Sequence, residues 1–429
     1  MDKLFTTLKH IWNIKNLRNK IIFTLFILIL FRVLAHVTIP GANVDQIQFL
    51  INGQGNSSLS VLSLLTGGAM ENFSVVLMGL TPYINASIIM QLLGVIVPSI
   101  ENLKKEGDSG QKKINQYTRI LTVPLAFVQS YGMITLINQY QAGIVPTGNF
   151  VDMIPMMLTV TAGTVLLMWL GELITEKGIG NGISLIIFAG IVSTVPTQIG
   201  GALQSSSAPV ILALIIATFL LTLFIIYVSE ADRRVPVIYA TRASKSQHKS
   251  FLPLKINQAG MIPIIFAISM VSFPSIFAQF AGNSDNPTFQ KIGEWIIGNF
   301  NPSSPTIWYN LIYAGLIIAF TYFYVSIVFD PKKMADNIQK RGGFIPGYRP
   351  GTETEKFLGD TMGKLCFWGG LFLASVAVLP LFIERLIGGG ANSVSLFISG
   401  AGLIIVVSVV LDLIRRINSQ LVMHDYEKL

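Results

Sequence analysis

Apolar residues along this 429-residue chain gather into runs of about twenty, parted by short polar segments. A helix needs about 20 apolar residues to cross the hydrocarbon of a bilayer. Ten stretches meet that length, at roughly 21–39, 74–97, 117–138, 154–174, 183–202, 209–229, 257–279, 307–329, 364–383 and 394–413. The pattern predicts an all-α integral membrane protein with ten transmembrane helices.

The basic residues orient these spans. Lys3, Lys9, Lys15, Arg18 and Lys20 precede the first span, and no Lys or Arg follows from 33 to 103. Basic and nearly base-free connections then alternate to the end, so that 27 of the 30 Lys and Arg fall on one side. Lys291 and Arg385 fall on the other, and Arg32 lies within a span. Cytoplasmic connections carry the excess of Lys and Arg, so both termini are expected in the cytoplasm, with an even number of spans.

Residues 57–72 (SSLSVLSLLTGGAMEN) are apolar but too short to cross, and they face outward. They read equally well as a re-entrant segment, whose backbone must be covered by protein or water, or as an amphipathic helix on the outer leaflet. Ten spans divide into two halves of five. An odd number per half makes an inverted repeat permissible, although no repeat is visible in the residues.

Composition agrees with membrane residence. Charged residues make up 12% of the chain, against roughly 25% in soluble domains. The first apolar run ends in no small-residue cleavage site and is expected to be a retained span. The net charge of +8 sits in the connections and reads as a topology signal and a docking surface. Cys366 is the single cysteine, and His10, His36, His248 and His424 show no ligand spacing. No metal site or other cofactor is expected.

The chain has neither a phosphate-loop nor a zinc-protease motif. Gly178-Ile-Gly-Asn-Gly182 looks superficially like a nucleotide-binding turn but lacks its βαβ context. The spans are almost free of ionisable groups, which a proton- or ion-coupled carrier would place near mid-bilayer. Arg32 and His36, one turn apart, are expected to snorkel or pair locally. Glu172, Glu384 and Asp412 lie at span ends. This set offers little to an enzyme.

Pro82 falls inside the second run, and Pro263 and Pro274 inside the seventh. They predict kinks, with Asn85, Gln91, Asn257 and Gln258 as polar groups on the same runs. Two long cytoplasmic connections, 230–256 and 330–363, are rich in basic residues, Gly and Pro. The first reads as a hairpin with an exposed tip at 241–250. Basic loop tips suit an acidic partner or an RNA backbone.

Two long stretches then resemble a known family. Val75-Val-Leu-Met-Gly-Leu-Thr-Pro-Tyr-Ile-Asn-Ala-Ser-Ile-Ile-Met-Gln-Leu-Leu93 and Leu167-Met-Trp-Leu-Gly-Glu-Leu-Ile-Thr-Glu-Lys-Gly-Ile-Gly-Asn-Gly-Ile-Ser-Leu-Ile-Ile-Phe188 are similar to signatures of the SecY family, the pore subunits of the bacterial Sec translocon. Lys104-Lys-Glu-Gly-Asp-Ser-Gly110, Leu252–Pro263 and Phe344–Gly351 are similar too.

The resemblance implies an hourglass pore made of two inverted five-helix halves, 21–203 and 204–413. A cytoplasmic segment at 1–20 precedes them and a tail at 414–429 follows. It makes 57–72 a re-entrant plug, with Leu62, Leu65, Gly67 and Gly68 as its marker residues. It places an apolar pore ring at Leu80, Ile84, Ile183, Ile187, Ile265 and Ile405, where Leu80 departs from the isoleucine of a close relative. It places a lateral gate between spans two and seven, near Asn85, Gln91 and Phe273. Arg242, Lys245, Lys249, Arg341 and Arg349 would dock the SecA motor or the ribosome. It implies the small subunits SecE and SecG, unfolded precursors with signal peptides, and lipid as partners, in the bacterial inner membrane. The implied activity is passage of unfolded polypeptide. The alternative is a secondary transporter of a small solute.

Overall fold

The computed structural model describes residues 12–40, 47, 66–140, 150–205, 207–239, 249–282, 287–299, 307–388 and 400–427, with some side chains in these ranges left aside. The fold is mostly helical. In chain order the helices of the first part are α1 (Lys15–Leu34), α2 (Thr81–Ile96), α3 (Pro98–Lys105), α4 (Asp108–Tyr140), α5 (Phe150–Lys177), α6 (Gly182–Ser205) and α7 (Ala208–Glu230). Strands β1 (Asp232–Tyr239) and β2 (Lys249–Lys255) lead to α8 (Ile262–Gly282), α9 (Pro287–Asn299), α10 (Ile307–Val328) and α11 (Pro331–Lys340). The two-residue strand β3 (Gly343–Phe344), α12 (Thr352–Gly388) and α13 (Gly400–Glu427) complete the order.

Helix overlies at least part of every apolar run read from the sequence. Among the described residues, the helical stretches Met153–Lys177, Ala208–Glu230, Ile307–Lys340 and Thr352–Pro380 are long and apolar enough to cross a membrane. The pair α2 and α3, bent by 98°, would make a fifth. In the bend, a Cβ on Gly94 would come within 2.5 Å of Lys104 Nζ. The ammonium therefore lies over the last turn of α2, where the helix dipole favours a cation.

Three apolar clusters organise the spans. One joins residues 70–78 to α4 and α5 through Phe73, Leu77, Ile134 and Met157. A second joins α8, α10, α12 and α13 through Ile264, Ile317, Leu373 and Ile404. The third draws on both parts of the chain, with α1, α5 and α6 meeting Ile405 and Val409 of α13. Between α7 and α12, β1 pairs antiparallel with both β2 and β3, giving the order β2-β1-β3. The inner face of this sheet, Val235, Val237 and Leu254, packs on Phe329, Ile338 and Leu358.

Two expectations about proline and helix boundaries change. The second apolar run is not helical from 74: residues 66–80 are a chain of turns with Gly67, Gly68 and Gly79 at positive φ, and the helix begins at Thr81. Pro82 thus stands in the first turn of α2, where no intrahelical bond exists to be lost, and it makes no kink. Pro263 likewise opens α8, while Pro274 lies inside it. Asn257 and Gln258 precede α8, and Asn257 Oδ1 accepts from Gly260 N at 3.0 Å.

The turns at 66–80 are buried: Ala69, Met70, Phe73, Ser74, Val76 and Leu77 have no measurable exposure. They are tied to the end of α1 by Ile39 N donating to Phe73 O (3.0 Å) and Val75 N to Val37 O (2.9 Å). Gly163 of α5 supports them from behind, because a Cβ there would lie 2.0 Å from Val75 O. Gly163→Ala is expected to cost about 1–3 kcal/mol, the range for overpacking a tight contact. A lower unfolding temperature of the purified protein in detergent checks this.

Candidate pore collar and basic connections

All six expected ring residues fall in or against the third apolar cluster. Leu80, Ile187 and Ile405 are buried members of the third cluster, and Ile84, Ile183 and Ile265 pack against it half-buried. Residues 325 positions apart in sequence, Leu80 and Ile405, share one apolar assembly. Four of the six, Leu80, Ile84, Ile183 and Ile265, stand in or just before the first turn of a helix. Leu80 precedes α2 and accepts from Ile84 N (3.0 Å), and Ile265 N donates to Met261 O (3.3 Å) in the first turn of α8.

The glycine turn between α5 and α6 sets Ile183 and Ile187. Thr24 Oγ1 of α1 accepts from Ile179 N (3.2 Å), and Thr175 Oγ1 accepts from Gly182 N (2.9 Å). Asn181 Oδ1 accepts from Ile183 N (3.1 Å) and caps α6. A Cβ on Gly182 would lie 1.9 Å from Gly171 O, and one on Gly171 would press on Ile183 at 3.1 Å. These amide donors point at threonine and asparagine oxygens and glycines close the space, so the turn does not form a phosphate cradle. Thr24 and Thr175 were not legible as partners of this turn. The Asn-Gly pair ahead of an apolar run is a helix-start signal that marks Asn181. Asn181→Ala is expected to cost about 1 kcal/mol, the usual loss for a missing N-cap, measured by thermal unfolding.

Beside the collar lies a cavity of about 430 Å³, lined in part by Asn181, Ser184, Asn257, Gln258 and Ser408. Its rim holds two ion pairs, Arg415 with Glu230 and Arg416 with Asp412 (2.8 Å). Burial, reinforced by the Arg415 charge, pushes Lys255 below the usual lysine range. Asp412 and Glu172 are thus paired carboxylates, the latter accepting from Arg119 Nε at 2.7 Å. The side chain of Glu384 lies outside the description.

Arg32 departs from expectation. His36 does bond locally, its Nδ1 lying 2.8 Å from Arg32 O. The guanidinium, however, turns inward and does not snorkel. Its Nη1 donates to Gly67 O (2.6 Å) and to Ser193 Oγ (2.8 Å). A bare arginine at the centre of a span costs about 2.5–3.5 kcal/mol, and these acceptors offset that cost.

Of the expected plug residues, Leu62 and Leu65 lie outside the described residues, while Gly67 and Gly68 form the first of the turns at 66–80 (φ 68° and 77°). At the expected gate, α2 and α8 pack together. Asn85 is buried, and its Oδ1 has no hydrogen-bond partner among the described residues. Gln91 Nε2 donates to Ser87 Oγ within α2 (3.2 Å). Phe273 is in α8, its side chain outside the description.

Of the docking set, Arg242 and Lys245 lie outside the described residues. Lys249 opens β2 opposite Ile238, and Arg341 caps the C-terminus of α11, exposed. Arg349 is held by its backbone: its N–H donates to Glu353 Oε2 (3.0 Å), and its carbonyl accepts from Thr354 Oγ1 (2.9 Å). Tyr348 stacks on Phe357 with ring centroids 4.2 Å apart. Arg349 is exposed, and among the described residues no carboxylate forms an ion pair with its guanidinium. Nor do the described residues hold a group of three or more His, Cys, Asp or Glu placed to bind a metal.

The SecY family profile matches residues 74–414. Among curated relatives, the protein translocase subunit SecY of Corynebacterium glutamicum is 42% identical over 432 residues, covering 96% of this chain and 97% of the relative. That of Halalkalibacterium halodurans is 40% identical, covering 99% of each. Among solved structures, one described as a protein-conducting channel superposes with a TM-score of 0.66 at 19% identity, over 94% of this chain and 92% of the other. Sec61 from a canine ribosome-channel complex superposes with a TM-score of 0.63 at 18% identity, with the same coverage. The structural likeness carries the fold, and the sequence likeness over nearly the whole length carries the kinship: the chain belongs to the SecY family.

Proposed function

We propose that this chain is the pore of a protein-conducting channel, passing unfolded polypeptide across the membrane and releasing apolar segments sideways into lipid. The observation that carries this reading is that Leu80, Ile84, Ile183, Ile187, Ile265 and Ile405 all belong to or pack against one apolar cluster beside a polar cavity, which we read as a collar. A translocating polypeptide presents no fixed charge or shape, so its conduit needs no specific polar site. Branched apolar side chains close on any sequence and exclude water when empty, as narrow hydrophobic constrictions do. Relatives named as translocase subunits, at about 40% identity, support the same activity. None of these features calls for catalysis, and we read the protein as a conduit with no enzymatic step.

In this reading ten spans form two inverted halves, 21–203 and 204–413, around an hourglass, with both termini in the cytoplasm of a bacterial cell. Residues 57–72 are the plug, and the seam between α2 and α8 is the lateral gate. A segment that reaches the gate partitions into lipid with about 0.8 kcal/mol per buried CH₂, while a polar segment continues across. The collar supplies no energy. The basic cytoplasmic connections, with Arg349 at their most constrained point, take the push of SecA or the ribosome, and SecE and SecG complete the complex.

A photocrosslinker at Ile84 or Ile265 tests the pore. Adducts along the whole length of a stalled precursor are the expected result. An absence of adducts, together with uptake of a small solute by the reconstituted protein, would replace the channel with a secondary transporter.

A further inference from the structure

Three elements distant in sequence meet at Arg32. The residue lies in the last turn of α1, and its Nη1 reaches Gly67 O at 2.6 Å and Ser193 Oγ at 2.8 Å. Ser193 Oγ in turn donates to Gly190 O at 2.6 Å. Gly67 crosses α6 directly above Gly190, since a Cβ on Gly67 would lie 2.7 Å from Gly190 Cα. Gly67 also sits at φ 68°, which L side chains rarely adopt. Backbone therefore touches backbone at this crossing, and one guanidinium bridges the two sides. Glu71, four residues on, adds an attractive charge. Immediately downstream, Ala69, Val76 and Leu80 enter the same apolar assembly as Ile187 and Ile191 of α6.

We propose that Arg32 is a latch: a positioning residue that pins the chain at Gly67 to α6 and so holds the collar closed at rest. This rests on the channel reading given above. A charged donor inside a span is retained only where it has work and acceptors, and both acceptors here belong to parts that a passing polypeptide would have to displace. Hydrogen bonds to a charged group are about twice as strong as neutral ones, so their loss shifts a two-state balance by an order of magnitude.

The test uses the full chain reconstituted with its partner subunits in planar bilayers, without precursor. Arg32→Gln is expected to raise resting conductance roughly tenfold, and Arg32→Lys, which keeps the charge and a single donor nitrogen, to restore much of the seal. A purely structural role would lower thermal stability without this leak and without the lysine rescue. Gly67→Ala is the second variant: its Cβ forces the carbonyl away from Arg32, and it should leak as Arg32→Gln does. If both variants stay as tight as the parent while a widened collar (Ile183→Gly with Ile265→Gly) leaks, the latch is wrong and the channel stands. If the widened collar also stays tight and the parent passes no precursor, the channel reading itself falls.

Discussion

Replacing Ile183 and Ile265 together with glycine is expected to turn the resting protein into an ion leak. Each isoleucine contributes four side-chain carbons to the collar, and both lie half-buried at its surface. At about 0.8 kcal/mol per carbon group, removing eight gives up roughly 6 kcal/mol of apolar lining. That exceeds by several-fold the 1.4 kcal/mol that changes an equilibrium tenfold, so the balance between a dry and a wet constriction should reverse. Glycine inside a helix costs about 1 kcal/mol, but Ile183 and Ile265 stand in first turns, where the penalty is smaller. The fold should therefore survive. Conductance in planar bilayers reads the effect, with Ile183→Leu and Ile265→Leu as tight controls. Unchanged conductance would remove these residues from the ring.

Arg349→Glu is expected to abolish motor-driven export while leaving the protein inserted and folded. The loop around Arg349 owes its shape to Gly347 at φ 89°, to the Tyr348–Phe357 stack and to two hydrogen bonds of the Arg349 backbone. None of these uses the guanidinium. The substitution leaves the scaffold intact and reverses the charge it presents, beside Glu353 and Glu355. Losing one member of a buried interfacial charge pair costs on the order of 2–5 kcal/mol, a drop of roughly thirtyfold or more in motor affinity. ATP-driven import into inverted vesicles measures the export, and protease mapping of the tail checks insertion. Normal import would remove Arg349 from the docking surface.

The long apolar runs made the helices legible, because length and hydrophobicity alone demand them in a bilayer. Their boundaries were not. Residues 74–80 are as apolar as any helix, and only the positive φ at Gly79 and the bridge between Thr38 and Ser74 make them turns. Prolines 82 and 263 looked like kinks because a run of hydrophobicity does not say where the first turn begins. The short helices α3, α9 and α11 escaped notice because each is too short or too polar to register as a span. The grouping of the six expected ring residues in one apolar cluster was legible only through resemblance. Spacing within one helix does not reveal that Leu80 and Ile405 fall in one apolar cluster, nor that Arg32 would find acceptors 35 and 161 residues away. Such contacts are fixed by tertiary closure, which leaves no local trace.

Among the described residues, neither Gln91 Nε2 nor Asn85 Oδ1 bonds across the contact between α2 and α8. Gln91 bonds within its own helix, and Asn85 Oδ1 bonds nothing. A joint of this kind has no discrete rivet to shear at either residue. Its described contacts are apolar, and acyl chains, as apolar as leucine, can replace each contact as it is given up. Separation should then be nearly isoenergetic in fluid lipid and steeply uphill in water. The ease of parting would be a property of the surrounding bilayer as much as of the polypeptide.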